Sequence, residues 1–197
     1  MGYSISTIKN LPTLSGFYFF LIGKESHARG MSDTALYKHF DEIAYRIGDE
    51  SAIVKSTNSE RISDELVNSF MSAPWFREVY DEFLYKTPSL IIMQPHPNEF
   101  KFKDNDFFAL IPFETLDRVY LSESDLIKDI VALAIKGSLD IIKKVSECTE
   151  EKGVLKRLGK SLLLQPNFSG IGIDIKELFH SKPYNKSFIY EKNKPQK

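Results

Sequence analysis

Three side chains capable of ligand chemistry lie close together near the amino terminus. His27, Arg29 and Ser32 occur in the polar stretch "GKESHARGMSD", directly after the apolar run 17–22. An imidazole exchanges protons near neutral pH, a guanidinium binds carboxylates and phosphates, and a helix start offers free backbone N–H groups to an anion. Open α/β sheets usually bind ligands at the carboxyl ends of their strands. This loop is therefore a candidate ligand site, although its composition is more typical of a solvated loop.

The other reactive side chains form no catalytic or metal-binding pattern. Cys148 is the only cysteine, which excludes an internal disulfide and a CxxC pair and is typical of a reducing compartment. No basic residue adjoins it to activate it as a nucleophile. His39, His96 and His180 are widely separated, so no pair has metal-ligand spacing. We therefore expect no catalytic residues, no metal and no cofactor.

Two carboxylate pairs deserve separate mention because paired carboxylates can act as acid and base. They are Asp41 with Glu42 and Glu114 with Asp117. Each pair lies in or next to an amphipathic segment, where charged residues usually form the solvated face. We interpret both pairs as solvated surface.

Length and composition indicate an ordinary globular protein. The 197 residues are 42% hydrophobic and 27% charged, which fits one domain or one domain with an added subdomain. The 26 basic and 27 acidic residues nearly cancel, so no net charge attracts the molecule to nucleic acid or an anionic membrane. The apolar run 17–22 is far shorter than the roughly 20 residues that cross a bilayer. We expect a cytoplasmic protein with neither a membrane nor nucleic acid as partner.

The apolar patterns predict an α/β protein. A strand at 17–22, a helix capped by Ser32 or Asp33, and a strand at Ser51–Thr57 should form a crossover with parallel strands. Helical patterns follow at 63–71 and 74–85. "SLIIM" and "DFFALIPF" then predict an antiparallel hairpin.

The second half of the chain is predicted to be helical. One long helix opens with a capping-box pattern from Ser122 to Asp125 and is bent at Gly137. Five apolar residues define its buried stripe: Leu126, Ile130, Leu133, Leu139 and Ile142.

The order of elements resembles the thioredoxin-like fold. "FDEIAYRIGDESAIVK" is similar to the end of the first thioredoxin helix and the strand after it, and "TPSLIIM" resembles the strand that follows the family's cis-proline. The resemblance covers about residues 16–147. It implies a mixed sheet with flanking helices, a cis bond between Thr87 and Pro88, and a ligand-facing position for both residues. A trans proline that opens an edge strand is the alternative.

The resemblance does not extend to the redox motif. "GMSD", residues 30–33, occupies the positions that would hold CxxC, so no thiolate can form there and dithiol exchange is excluded.

The carboxyl-terminal part is predicted to add a second surface. We divide the chain into an arm at 1–15, the α/β domain at 16–147, a helical extension at 148–181 and a flexible, lysine-rich tail at 182–197. The extension has too many apolar side chains to remain in water, so it should close the core or contact a partner. Its candidate contact residues are Phe168, Ile171, Ile173, Leu178 and Phe179.

Two functions fit these features. The first is a non-catalytic thioredoxin-like adaptor that recognises a protein or peptide partner, or a second copy of itself. The alternative is a small α/β enzyme or sensor that binds a nucleotide or glutathione through His27, Arg29 and Ser32. The sequence identifies neither the partner nor the oligomeric state.

Overall fold

A mixed five-stranded sheet forms the centre of the molecule, in the order β1-β3-β2-β4-β5. A computed structural model describes residues 1–23, 34–56, 59–70, 88–100 and 106–151. The strands are β1 (Gly2–Ile5), β2 (Tyr18–Ile22), β3 (Ala52–Ser56), β4 (Ser89–Gln94) and β5 (Phe107–Pro112).

Helices flank this sheet on both faces. A short 3-10 turn, Ile8–Asn10, lies between β1 and β2. The described helices are α1 (Ala35–Lys38), α2 (Phe40–Arg46), α3 (Ser59–Phe70), α4 (Phe113–Val119), α5 (Glu123–Lys136) and α6 (Asp140–Glu151). The predicted α/β class, with a mixed sheet and flanking helices, is confirmed.

Strand directions agree with the sequence patterns. β3 runs parallel to both β1 and β2, as a crossover through α1 and α2 requires. β4 is antiparallel to β2 and to β5, so the predicted hairpin is confirmed.

Alternate residues of each strand enter opposite cores, because successive side chains of a strand point to opposite faces. Phe19 and Leu21 of β2 pack beneath α1, α2, α4, α5 and α6, whereas Tyr18 and Phe20 pack toward α3 and the 3-10 turn. Both faces of the sheet are therefore buried. This explains why the strands read as unbroken apolar runs.

Two helix predictions need correction. The first predicted helix is divided at His39 into α1 and α2, and its N-cap is Thr34 rather than Ser32 or Asp33. The predicted long helix does not bend at Gly137 but ends there, since this residue takes a left-handed conformation with φ 65°. The chain then starts α6, which packs beside α5. All five residues of the predicted stripe are buried.

The amino-terminal arm includes a strand that the sequence analysis did not predict. β1 pairs with β3 at the sheet edge, and a Cβ at Gly2 would lie 2.5 Å from that of Ala44, so only glycine fits beneath α2. Glu65 of α3 fixes the 3-10 turn by accepting hydrogen bonds from the Thr7 hydroxyl and the Ile8 N–H, at 2.8 and 2.7 Å. Burial raises the pKa of Glu65, but these bonds and Arg61 outweigh it and lower that pKa.

No described helix is long and apolar enough to cross a membrane. The predicted helix at 74–85, most of the extension at 148–181 and the tail at 182–197 lie outside the described residues.

Candidate functional site

Pro88 lies beside the carboxyl end of β2, the strand after which the candidate loop 24–33 begins. Ser89, the first residue of β4, pairs with Ile22, the last residue of β2. The Pro88 carbonyl accepts a hydrogen bond from the N–H of Phe113, the first residue of α4, at 3.0 Å. Ser89 thus contacts the end of β2, and the adjacent Pro88 contacts the start of α4. The Thr87–Pro88 bond itself lies outside the described residues, and the Gln94–Pro95 bond is cis.

The other residues of the two candidate sites predicted from the sequence are not described. They are His27, Arg29, Ser32 and Thr87 in the candidate ligand site, and Phe168, Ile171, Ile173, Leu178 and Phe179 in the candidate contact surface. The described chain resumes at Thr34, which caps α1 directly after the loop 24–33. Thr34 and the residues after it therefore follow the predicted ligand loop directly in the sequence.

An open cavity of about 340 Å³ begins at this point, and we call it the acidic cavity. Its size lies within the range of pockets that bind small ligands or peptide side chains. The described residues that line it come from α1, α4, α5 and the turn between α4 and α5. They are Thr34, Ala35, Leu116, Asp117, Tyr120, Leu121, Glu123 and Leu126. Polar and apolar atoms both form the lining, and the charged side chains among these described residues are two carboxylates.

Asp117 is the uncompensated charge of the acidic cavity. It is exposed on α4 and forms no ion pair with any described residue. Its neighbour Glu114 pairs with Arg118 one helical turn later. Partial burial raises the pKa of Asp117, and the negative charges of Glu114 and Glu123 raise it further. The site therefore favours a cation that would relieve this repulsion.

Glu123, the second carboxylate, already has partners. Its two oxygens lie 3.0 Å from His39 Nε2 and 3.8 Å from Lys38 Nζ, which connects the start of α5 to α1 and α2. His39 also contacts Glu42 through Nδ1 at 3.1 Å. Glu123 thus positions the wall of the cavity, whereas Asp117 is available to a ligand.

Leu121 is an apolar side chain left open to solvent at the rim. It directly precedes Ser122, the N-cap residue of α5, and such a residue often packs against the fourth residue of the helix, here Leu126. Instead Leu121 is 101% exposed. The Ser122 side chain forms no capping hydrogen bond either, so the predicted capping box does not close. The turn before α5 presents its apolar side chain outward.

A closed polar cluster lies beside the cavity. The carboxylate oxygen Oδ2 of Asp129 accepts hydrogen bonds from the Tyr120 hydroxyl at 2.7 Å and from Lys144 Nζ at 2.6 Å. Asp129 is only 6% exposed, and its donors tie α5 to α6 and to the end of α4. Burial and the bond to Asp129 raise the pKa of Tyr120. These interactions stabilise the wall to which Tyr120 belongs.

The sequence analysis did not identify the cavity. It assigned Asp117 to a solvated face, which its exposure supports, but it did not single out Leu121 or Leu126. The sequence carries no signal of the exposure of Leu121, because an apolar residue directly before an N-cap usually packs on the helix that follows. None of the described lining residues is a cysteine or a histidine, and the described residues contain no group of three or more His, Cys, Asp or Glu side chains that could hold a metal.

The described residues therefore form an open cavity with an exposed leucine at its rim and one carboxylate that has no ion-pair partner among them. In comparisons with known proteins, no family model, no curated protein and no solved structure significantly matches the chain.

Proposed function

We propose that this protein is a non-catalytic, thioredoxin-like adaptor that recognises a segment of a partner protein at the acidic cavity. The observation that carries the proposal is the cavity itself, which combines a lining of polar and apolar atoms, a fully exposed leucine and a carboxylate that forms no ion pair with a described residue. A leucine side chain exposed beside a concave surface can pack against apolar groups of a partner and so be removed from water.

The arrangement of the sheet supports the thioredoxin-like part of the proposal. A parallel β2-α-β3 unit is followed by the antiparallel hairpin β4-β5, and Pro88 directly precedes β4. This is the order that the resemblance implies. The single thiol, Cys148, occurs on α6, so the helix start after β2 has no cysteine for dithiol exchange.

The charge of the cavity disfavours the alternative function. Nucleotides and glutathione are anions, and a phosphate or carboxylate placed beside Asp117 and Glu123 would be repelled. A ligand that used only the loop 24–33 would not use the described cavity. The peptide-binding function therefore accounts for more of the described surface.

Selection from a random heptapeptide library tests this function. The full chain and two variants, Leu121→Ser and Ile135→Ser, are used as bait, and bound peptides are sequenced and titrated by fluorescence anisotropy. Ile135 is the matched control, because it is also an exposed apolar residue but lies at the far end of α5 and does not line the cavity. We expect Leu121→Ser to weaken the selected peptides roughly fivefold to tenfold and Ile135→Ser to leave them unchanged.

Thermal shift with nucleotides, NAD and glutathione completes the comparison. A ligand at 100 times its Kd stabilises the folded state by roughly 2.7 kcal/mol, which such a melt detects. A shift with one of these ligands, together with no peptide that depends on Leu121, would refute the adaptor function in favour of the small-ligand function.

A further inference from the structure

We propose that the partner segment inserts a lysine or arginine side chain into the acidic cavity, with its cation at Asp117 and its aliphatic stem against the apolar wall. This inference rests on the proposed function and specifies the chemistry of the partner. It assigns Asp117 as the residue that selects a basic side chain and Leu121 as the apolar contact at the rim.

The charge distribution argues for a cation. Asp117 lies near Glu114 and Glu123, and both of these already have basic partners among the described residues. Of these three carboxylates, Asp117 is the one without an ion pair to any described residue. A cation at this position adds an attractive interaction and screens the repulsion among the three carboxylates. An anionic side chain would increase the same repulsion.

The apolar wall argues against a small hydrated cation. Leu121 is fully exposed at the rim and offers carbon surface beside the carboxylate, whereas Ala35, Leu116 and Leu126 are buried and line the cavity with little accessible surface. Lysine and arginine side chains cover such surface with their methylene groups while the charged end remains at a polar position. An uncharged apolar side chain would bury part of Asp117 without pairing it, which is unfavourable.

The closed cluster next to the cavity keeps this geometry fixed before binding. Tyr120 contributes to the wall, and its hydroxyl is held by Asp129, which Lys144 also binds. A wall that is ordered in the free protein loses little conformational entropy on binding. The part of the wall that Tyr120 contributes is therefore ordered before binding.

A double-mutant cycle tests the proposal. A lysine-containing heptapeptide from the library selection is compared with its norleucine analogue, which keeps the stem and lacks the charge. Both peptides are titrated against the wild-type protein, Asp117→Asn and Asp64→Asn. Asp64 is the matched control, because it is an exposed aspartate on α3, across the sheet from the cavity.

We expect lysine and arginine to be enriched among peptides selected by the wild-type protein and not among those selected by Asp117→Asn. Asp117→Asn should weaken the lysine peptide about twofold to fivefold, as expected for a partly exposed ion pair. It should not weaken the norleucine analogue and should strengthen its binding slightly, because the unpaired charge is removed, and Asp64→Asn should affect neither peptide. Added salt should reduce the difference between the two peptides.

Each other outcome overturns the inference in a recognisable way. If the binding of the selected peptides depends on Leu121 but the peptides lack basic residues, the proposed lysine or arginine at Asp117 is refuted. The adaptor function is then retained. An equal loss for both peptides on Asp117→Asn would mean that the cation does not contact Asp117. No peptide that depends on Leu121 would refute both proposals. A dimer in sedimentation velocity that dissociates on Asp117→Asn would assign the cavity to a second copy of the chain instead.

Discussion

Asp117 and Asp129 are aspartates in the same helical layer, on either side of Tyr120, yet their surroundings are opposite. Asp129 is buried and accepts hydrogen bonds from Tyr120 and Lys144. Asp117 is exposed beside a cavity, near two other carboxylates and without a described ion-pair partner. A buried carboxylate with both donors in place contributes to the fold, whereas an unpaired one at a cavity costs some stability and is available to a ligand.

Removal of Asp129 should have the largest effect on stability. Asp129→Ala leaves the Tyr120 hydroxyl and the Lys144 ammonium without their shared acceptor, so we expect the free energy of unfolding to fall by about 3 kcal/mol. Urea denaturation followed by circular dichroism measures this loss. Asp64 is an exposed aspartate on α3, which covers the other face of the sheet. Asp64→Ala should therefore change the free energy of unfolding by less than about 0.5 kcal/mol. A comparable loss in the two variants would show that the hydrogen bonds to Asp129 do not stabilise the fold.

The closed cluster should also make the protein sensitive to alkaline pH. Burial and Asp129 raise the pKa of Tyr120 above its ordinary 10.0, and the bond to Asp129 raises that of Lys144 above 10.5. Groups whose pKa is raised by folding bind protons more tightly in the folded state. Their contribution is therefore complete below about pH 10 and is lost as pH rises through the raised values.

A tyrosine variant isolates this effect. We expect Tyr120→Phe to cost roughly 1 kcal/mol at neutral pH and to show a shallower loss of stability above about pH 10 than the wild type. Tyr45→Phe is the control, since Tyr45 is 89% exposed. Urea denaturation over a pH series provides the measurement. The same alkaline slope in wild type and Tyr120→Phe would show that Tyr120 does not take part.

Neutralisation of Asp117 should have the smallest effect on the free protein. Because burial and the charges of Glu114 and Glu123 disfavour its ionised form, Asp117→Asn should leave the free energy of unfolding unchanged or raise it by up to about 0.5 kcal/mol. Thermal melting at neutral pH checks this. A loss of more than about 1 kcal/mol in the free energy of unfolding would show that Asp117, like Asp129, stabilises the fold. The proposed difference between the two aspartates would then be wrong.

The sequence by itself determined four of the five strands and most of the helical layer. Unbroken apolar runs at β2, β4 and β5 predict strands buried on both faces, and the crossover and hairpin follow from the lengths of the connections. The stripe from Leu126 to Ile142 predicts which helix faces are buried, because helical periodicity is a local property of the chain. β1 escaped prediction, since four residues with one glycine carry little periodic signal and its place depends on contact with α2.

Only the tertiary structure determined the different environments of Asp117, Leu121 and Asp129. In the sequence each is an ordinary residue in or beside an amphipathic helix. Lys144 reaches Asp129 because the chain reverses at Gly137, which brings α6 against α5. The acidic cavity exists because α1, α4 and α5 meet there without filling the space between them. Local spacing fixes which face of a helix a side chain occupies, but the charges and surfaces that it meets depend on how distant helices pack.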